Sequence, residues 1–163
     1  DLRQSWDEIK QRVHSLSERE KQLGLGEKGI TTYFSDNCTF DDAELLNRFM
    51  KSKNMEAYIT RVFKTVKGSV THYEIRSASV ELNDGSEKTH EFEGAQITFT
   101  KGDYSPLLAS VNRYLSLAKE HCANDTERQM LECYIQSFQN GSLDDHIEGS
   151  KHWVHDQGPA IET

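Results

Sequence analysis

Apolar residues recur at helical spacing at the start of the chain. Leu2, Trp6, Ile9, Val13 and Leu16 are separated by Asp, Glu, Lys and Arg, which predicts one amphipathic helix over residues 2 to 22, ended by Leu23-Gly24-Leu25-Gly26. A short β-prone stretch, Ile30-Thr31-Thr32-Tyr33-Phe34, follows. Thr39-Phe40-Asp41-Asp42 then reads as a helix cap, and residues 40 to 52 as a helix with Phe40, Ala43, Leu46 and Met50 on one side. In the middle of the chain the period changes to two. Residues 57 to 66, 71 to 82 and 89 to 100 alternate β-branched or aromatic with polar side chains, with Phe63, Tyr73, Ile75, Phe92, Ile97 and Phe99 expected inward. Lys67-Gly68 and Asn83-Asp84-Gly85-Ser86 supply turn residues, so an antiparallel meander is expected, one that could curl into a barrel if the stretch at Tyr33 joins it.

Helical spacing returns after Lys101-Gly102-Asp103-Tyr104. Ser105 and Pro106 read as N-cap and first-turn residues of a helix through about Ala123, with Leu107, Leu108, Val111, Leu115 and Ala118 as its apolar stripe. A second helix begins near Asn124 or Asp125, carries Met130, Leu131, Tyr134, Ile135 and Phe138 inward, and closes at Asn140-Gly141. Ser142-Leu143-Asp144-Asp145 caps a third. Helices, a meander, then helices, with no alternating β-α pattern, make the fold class α+β: an antiparallel sheet flanked by N-terminal and C-terminal helices.

The chain has 163 residues, the size of one domain or of one lobe of a larger enzyme. Hydrophobic residues make up 35% of it and charged residues 28%, and the mean hydropathy is −0.75, which together imply a lean core and a well-solvated surface. The net charge of −8 opposes non-specific nucleic-acid binding. No apolar run approaches the ~20 residues of a membrane span. Cys38, Cys122 and Cys133 form an odd set without a CxxC spacing, which suits reduced thiols of a cytoplasmic protein. The Asn-x-Ser/Thr triplets at Asn37, Asn124 and Asn140 sit where helix caps are expected and read as caps. The sequence starts at Asp1 without a methionine and stops soon after the run 151 to 156, so a piece excised from a longer chain is expected.

The histidines His146, His152 and His155, with Glu148 and Asp156, could be drawn as a metal site. Helical ligands want spacings of three or four, however, and His146 and His152 are about 120° off a shared face, so no metal site is assigned here. The acids Asp41, Asp42 and Glu44, and again Asp144 and Asp145, lie in first helical turns, where the macrodipole accounts for them without catalysis.

Four blocks in order, 23 to 35 (Leu23-Gly24-Leu25-Gly26 through Tyr33-Phe34-Ser35), Lys101-Gly102-Asp103-Tyr104-Ser105-Pro106, Tyr134-Ile135-Gln136-Ser137-Phe138 and 153 to 162, resemble the dipeptidyl peptidase III family from about Trp6 to the last residue. The resemblance implies a two-lobed, zinc-dependent exopeptidase of the cytoplasm that removes dipeptides from the N-termini of short peptides. The family's His-Glu-x-x-x-His helix does not occur in this sequence, so the resemblance makes the whole of 1–163 part of the lobe that lacks the metal, with zinc bound outside this chain and no catalytic residue within it. Glu162 matches the position that holds the substrate ammonium group in the family, and Ala160, Ile161 and Thr163 would lie along the peptide. Such an anchor would sit about two residues, or ~7 Å of extended chain, from the bond to be cut. The expected partners are short peptides with a free N-terminus and the missing zinc-bearing lobe, with neither nucleic acid nor membrane. A non-catalytic peptide-binding or scaffolding module, capturing extended peptides on a sheet edge, is the alternative.

Overall fold

The alternation in the middle of the chain builds a sheet with one covered face. A computed structural model describes residues 2–156, the Arg12 side chain excepted. Its strands are β1 (Thr60–Lys67), β2 (Val70–Ala78), β3 (Thr89–Phe92) and β4 (Ala95–Asp103). One face sets Val62, Tyr73, Ile75, Ala95 and Ile97 against Leu46, Phe49 and Met50 of the helix Phe40–Ser52, with Cys38 beside them. The register explains the stacking: Val62 faces Ile75, Tyr73 faces Ile97, and Ile75 faces Phe99 across neighbouring strands. Phe92 and Phe99 pack against this core half-buried. Phe63 does not. With Val62 inward, a period of two sends Phe63 to the opposite face.

The sheet is α+β in class but mixed, with order β1-β2-β4-β3, rather than an antiparallel meander. Strands β1 and β2 form one antiparallel hairpin and β3 and β4 another, while β2 and β4 run parallel. The reason lies after β2. The chain does not turn back at Ala78; the Val80 and Glu81 N–H groups donate to the carbonyls of Phe138 and Gln139 at the end of a helix, both at 2.9 Å. That detour carries residues 79–88 past β4 to the far edge. The true hairpin turn is Glu93-Gly94, at φ 47° and 79°, inside the stretch expected to be one strand over 89 to 100. The segment at Tyr33 does join, through a single parallel bridge from Phe34 to Val62. The sheet stays open: among the described residues β1 and β3 are not paired to each other.

Among the described residues five α-helices surround or follow the sheet: α1 (Leu2–His14), α2 (Phe40–Ser52), α3 (Ser105–Lys119), α4 (Asp125–Asn140) and α5 (Leu143–His155). The first is shorter than the helix expected over 2 to 22. Ser17 and Glu20 explain it, because the Ser17 N–H donates to the Glu20 carboxylate at 2.7 Å and the Glu20 N–H to Ser17 Oγ at 3.2 Å, a reciprocal cap that starts a separate turn. Helix α2 carries the expected capping box between Thr39 and Asp42. Helix α3 ends at Lys119 rather than near Ala123, and its N-cap is Tyr104 in the left-handed region at φ 58°, with Ser105 already helical. The Ser105 hydroxyl instead donates to the Val80 carbonyl at 2.7 Å.

The helical layer has its own small core. Met130, Leu131 and Tyr134 of α4 are buried, with Leu115, Ala118, Cys122 and Phe138 packed on them. Gly149 allows α5 to lie close: a Cβ there would meet the Tyr134 ring at 2.6 Å. The three cysteines are free thiols. Among the described residues no helix is long and apolar enough to cross a membrane.

Candidate functional site

Ala160, Ile161, Glu162 and Thr163 lie outside the described residues, so the described part of the site is what leads to them. Helix α5 is capped by Ser142, whose hydroxyl accepts the Asp145 N–H at 3.1 Å, and is held on α4 through Gly149 and through His146, which stacks on Tyr134 with ring centroids 5.4 Å apart. At its end the Asp156 N–H donates to the carbonyls of His152 and Trp153. The Asp156 carboxylate accepts from the Asn124 side-chain amide at 3.1 Å. The same Asn124 caps α4 with its other side-chain atom, accepting the Glu127 N–H at 2.8 Å. One short side chain therefore fixes both the start of α4 and the point where the chain leaves α5. The sequence marked Asn124 as a cap; the second contact joins residues 32 apart and has no local signal.

The candidate metal residues do not converge. His146 faces Tyr134, His155 Nδ1 lies 2.6 Å from the Lys151 carbonyl on its own helix, and no three His, Cys, Asp or Glu among the described residues are placed to hold an ion. The described residues thus do not fit a zinc centre. Asp42, read from sequence as a first-turn acid, does more than cap. Buried to 6% exposure, its carboxylate takes both contacts from Lys64 Nζ, at 2.7 and 2.8 Å, a hydrogen bond from the Tyr73 hydroxyl, and the Thr39 N–H at 2.6 Å. Burial pushes Asp42 up, but the Lys64, Tyr73 and Thr39 donors outweigh it and hold the carboxyl below its ordinary range. Burial, and then the Asp42 carboxylate, push the Tyr73 phenol well up. The cluster is largely buried and ties α2 to β1 and β2.

The outer face of the sheet carries a second set that sequence reading missed. Arg61 grips Asp103 bidentately at 2.6 and 2.7 Å, and its guanidinium lies 4.4 Å from the Tyr104 ring centroid and 5.1 Å from that of Phe63. Arg76 covers Phe63 at 4.1 Å and pairs with Glu74, which also accepts from Thr100. Hydrogen bonding to Asp103 raises the Arg61 pKa, and hydrogen bonding to Arg76 lowers that of Glu74. The only local signal was the Arg61-x-Phe63 alternation. Between the end of the sheet and the helical layer runs a groove of about 630 Å³, lined by Tyr58, Ile59, Leu108, Phe138, Leu143 and Ile147, with Glu56 and His146 as its charged or titratable members. At the far edge of the sheet, β3 pairs with β4 alone among the described strands, so its outer backbone groups are available to an extended chain.

The described residues carry an apolar groove and an open strand edge, and comparison with known proteins gives them a context. The chain matches the model of peptidase family M49 over residues 5–163. It therefore belongs to that peptidase family. It is 44% identical to the human protein named dipeptidyl peptidase 3, over 100% of this chain and 23% of the relative. The protein of the same name from Nematostella vectensis is 41% identical over 97% of this chain and 24% of its own length, and that from Dictyostelium discoideum 35% over 97% and 22%. The chain thus spans about a quarter of the length of the relatives it matches.

Proposed function

We propose that this chain is the substrate-binding, metal-free part of a zinc-dependent cytoplasmic peptidase that releases dipeptides from the N-termini of short peptides. The observation that carries the reading is the family match along residues 5–163, with relatives named dipeptidyl peptidase 3. The zinc is held by residues outside this chain. The work of this part is to bind and orient. Glu162 takes the substrate ammonium group, and Ala160, Ile161 and Thr163 run beside the peptide backbone. The Asn124–Asp156 contact, six residues before Glu162, supports this by fixing where the chain departs α5. A charge-assisted hydrogen bond is worth ~1.5 to 3 kcal/mol, so a carboxylate there favours a free N-terminus over a blocked one by roughly ten- to a hundredfold.

The test is kinetic, in the full-length enzyme. Glu162→Ala should lower kcat/KM at least tenfold for free-amine peptides and narrow the preference over N-acetylated ones. Kinetics equal to the parent's for both substrates would remove the anchor role. Removal of zinc by a chelator should abolish dipeptide release by the full-length enzyme while leaving residues 2–156 folded, as read by amide hydrogen exchange.

A further inference from the structure

Every described side chain of α1 is exposed. A helix of 13 residues is marginal in water by itself, because ~12–15 residues are needed before its hydrogen bonds offset the cost of starting it. Its apolar side chains are nevertheless gathered on one side. At ~100° per residue, Leu2, Trp6, Ile9 and Val13 fall within about 60° of one another. They are 91%, 46%, 49% and 50% exposed. Their spacings of four, three and four residues make a heptad seam, which is shaped for one facing helix; the stripe of a helix lying on a broader surface is wider. Trp6 stands in this seam, edge-on to His14 of the same helix, and tryptophan is a side chain that anchors interfaces.

The charges of α1 are sorted by angle around that seam. Measured from its middle, Lys10 and Arg3 lie about 70° and 90° to one side, and position 12, an arginine, about 90° to the other. Asp7 and Glu8 lie about 130° away on either side, with Gln4 and Gln11 at the back. In a chain of net charge −8, cations thus border the apolar seam on both flanks, at the positions that set partner choice in paired helices. Lys10 meets Asp7 at 2.6 Å in an exposed pair worth little, and Arg3 has no ion pair among the described residues. Two copies meeting through this seam would set cation against cation whether the helices ran parallel or antiparallel. Anionic lipid is a poor match as well: three cations against two acids leave the helix one net positive charge, a weak hold at ~1 kcal/mol per basic residue. More than three-quarters of the length of the human relative lies outside its match to this chain. We infer that in the complete peptidase the Leu2-Trp6-Ile9-Val13 seam packs against a helix from another segment of the same polypeptide, apolar along its middle and acidic where it meets Arg3 and Lys10. The inference rests on family membership and on a full-length protein of the relatives' size, and is independent of any role for Glu162.

The experiment uses the full-length enzyme carrying Ile9→Cys or Val13→Cys in the seam or, as reference, Gln11→Cys at the back of α1. N-ethylmaleimide modification is followed site by site by peptide mass mapping, which separates the native thiols. Both seam positions should react roughly tenfold or more slowly than Gln11→Cys, at concentrations where light scattering gives a monomer; Val13→Cys is the milder change and serves if Ile9→Cys does not fold. Reaction at the Gln11→Cys rate overturns the inference. So does protection that vanishes as a dimer is diluted, which would assign the seam to a second copy, or protection that arises only with phosphatidylserine vesicles, which would assign it to lipid. Arg3→Glu places an acid in the first turn, where it suits the helix dipole, so extra labelling in that variant reports a lost partner and not a lost helix. It should raise labelling of Ile9→Cys several-fold, whereas Arg3→Lys should not; equal labelling in both would strike the acidic partner. Dipeptide release by the Gln11→Cys enzyme, assayed in parallel, reports on the peptidase reading separately from the labelling.

Discussion

The sheet layer and the helical layer differ in how much apolar surface they bury. On the sheet side, nine described residues form the buried cluster under α2, and even a carboxylate is sunk into it with every contact satisfied by Lys64, Tyr73 and Thr39. The helical layer has only three apolar residues in its buried cluster, although Glu127 is sunk there to 1% exposure, and leaves Leu107 and Tyr114 each 65% exposed. Burial of apolar area is the main stabilising term in folding, so the larger apolar cluster, under the sheet, carries the larger share of it. The contrast teaches where substitutions should cost the most stability: at the cluster under the sheet before the seam of the helices.

The comparison can be broken most forcefully at Asp42. Asp42→Ala leaves the Lys64 ammonium and the Tyr73 hydroxyl unpaired in the interior, and should cost about 3–5 kcal/mol in urea-induced unfolding. Because the folded carboxyl is held below its unfolded value of about 3.9, its contribution is complete above about pH 5 and is lost as pH falls through the folded value. Asp42→Asn should therefore flatten the fall in stability with acid. A parent slope retained in that variant would place the acid sensitivity elsewhere. The raised Tyr73 phenol acts at the other end, with stability held below about pH 10 and lost as pH rises further.

A smaller effect is expected at the seam of the helical layer. Gly149→Ala forces a methyl to within 2.6 Å of the Tyr134 ring, and overpacking of this kind costs about 1–3 kcal/mol, read as a lowered thermal midpoint. An unchanged midpoint would mean that α5 moves away freely and that the helical layer is looser than drawn. Least of the three is Arg61→Lys, which keeps the charge but loses the bidentate grip on Asp103 and the stacking on Tyr104. With the Arg61 side chain 27% exposed, solvent screening limits the loss to about 1 kcal/mol. A shift as large as that of Asp42→Ala would make the outer face a second structural centre rather than a solvated one.

Most local structure was legible in the sequence because it is made locally. Thr39, Asn124, Ser142 and Gly141 cap helices where their chemistry predicts. What escaped was decided at a distance. The parallel pairing of β2 with β4 follows from Val80 and Glu81 docking on the end of α4, more than 50 residues on, and no pattern near Ala78 announces it. Glu93-Gly94 was hidden because strands on either side continue the same alternation. Phe63 was misassigned because alternation fixes that neighbours differ, not which of them faces inward. For the site, chemistry-bearing spacing alone said little; the ordered blocks of the family resemblance supplied Glu162 and its neighbours, while the Asn124–Asp156 contact needed three dimensions.

The join between Val80, Glu81 and the last carbonyls of α4 is made by main-chain amides alone. Every amino acid except proline carries that donor, so the fastening is indifferent to the identity of the side chains it passes through. Mutational drift can rewrite both positions and leave the two layers stitched; a single imino acid at either would unpick a stitch.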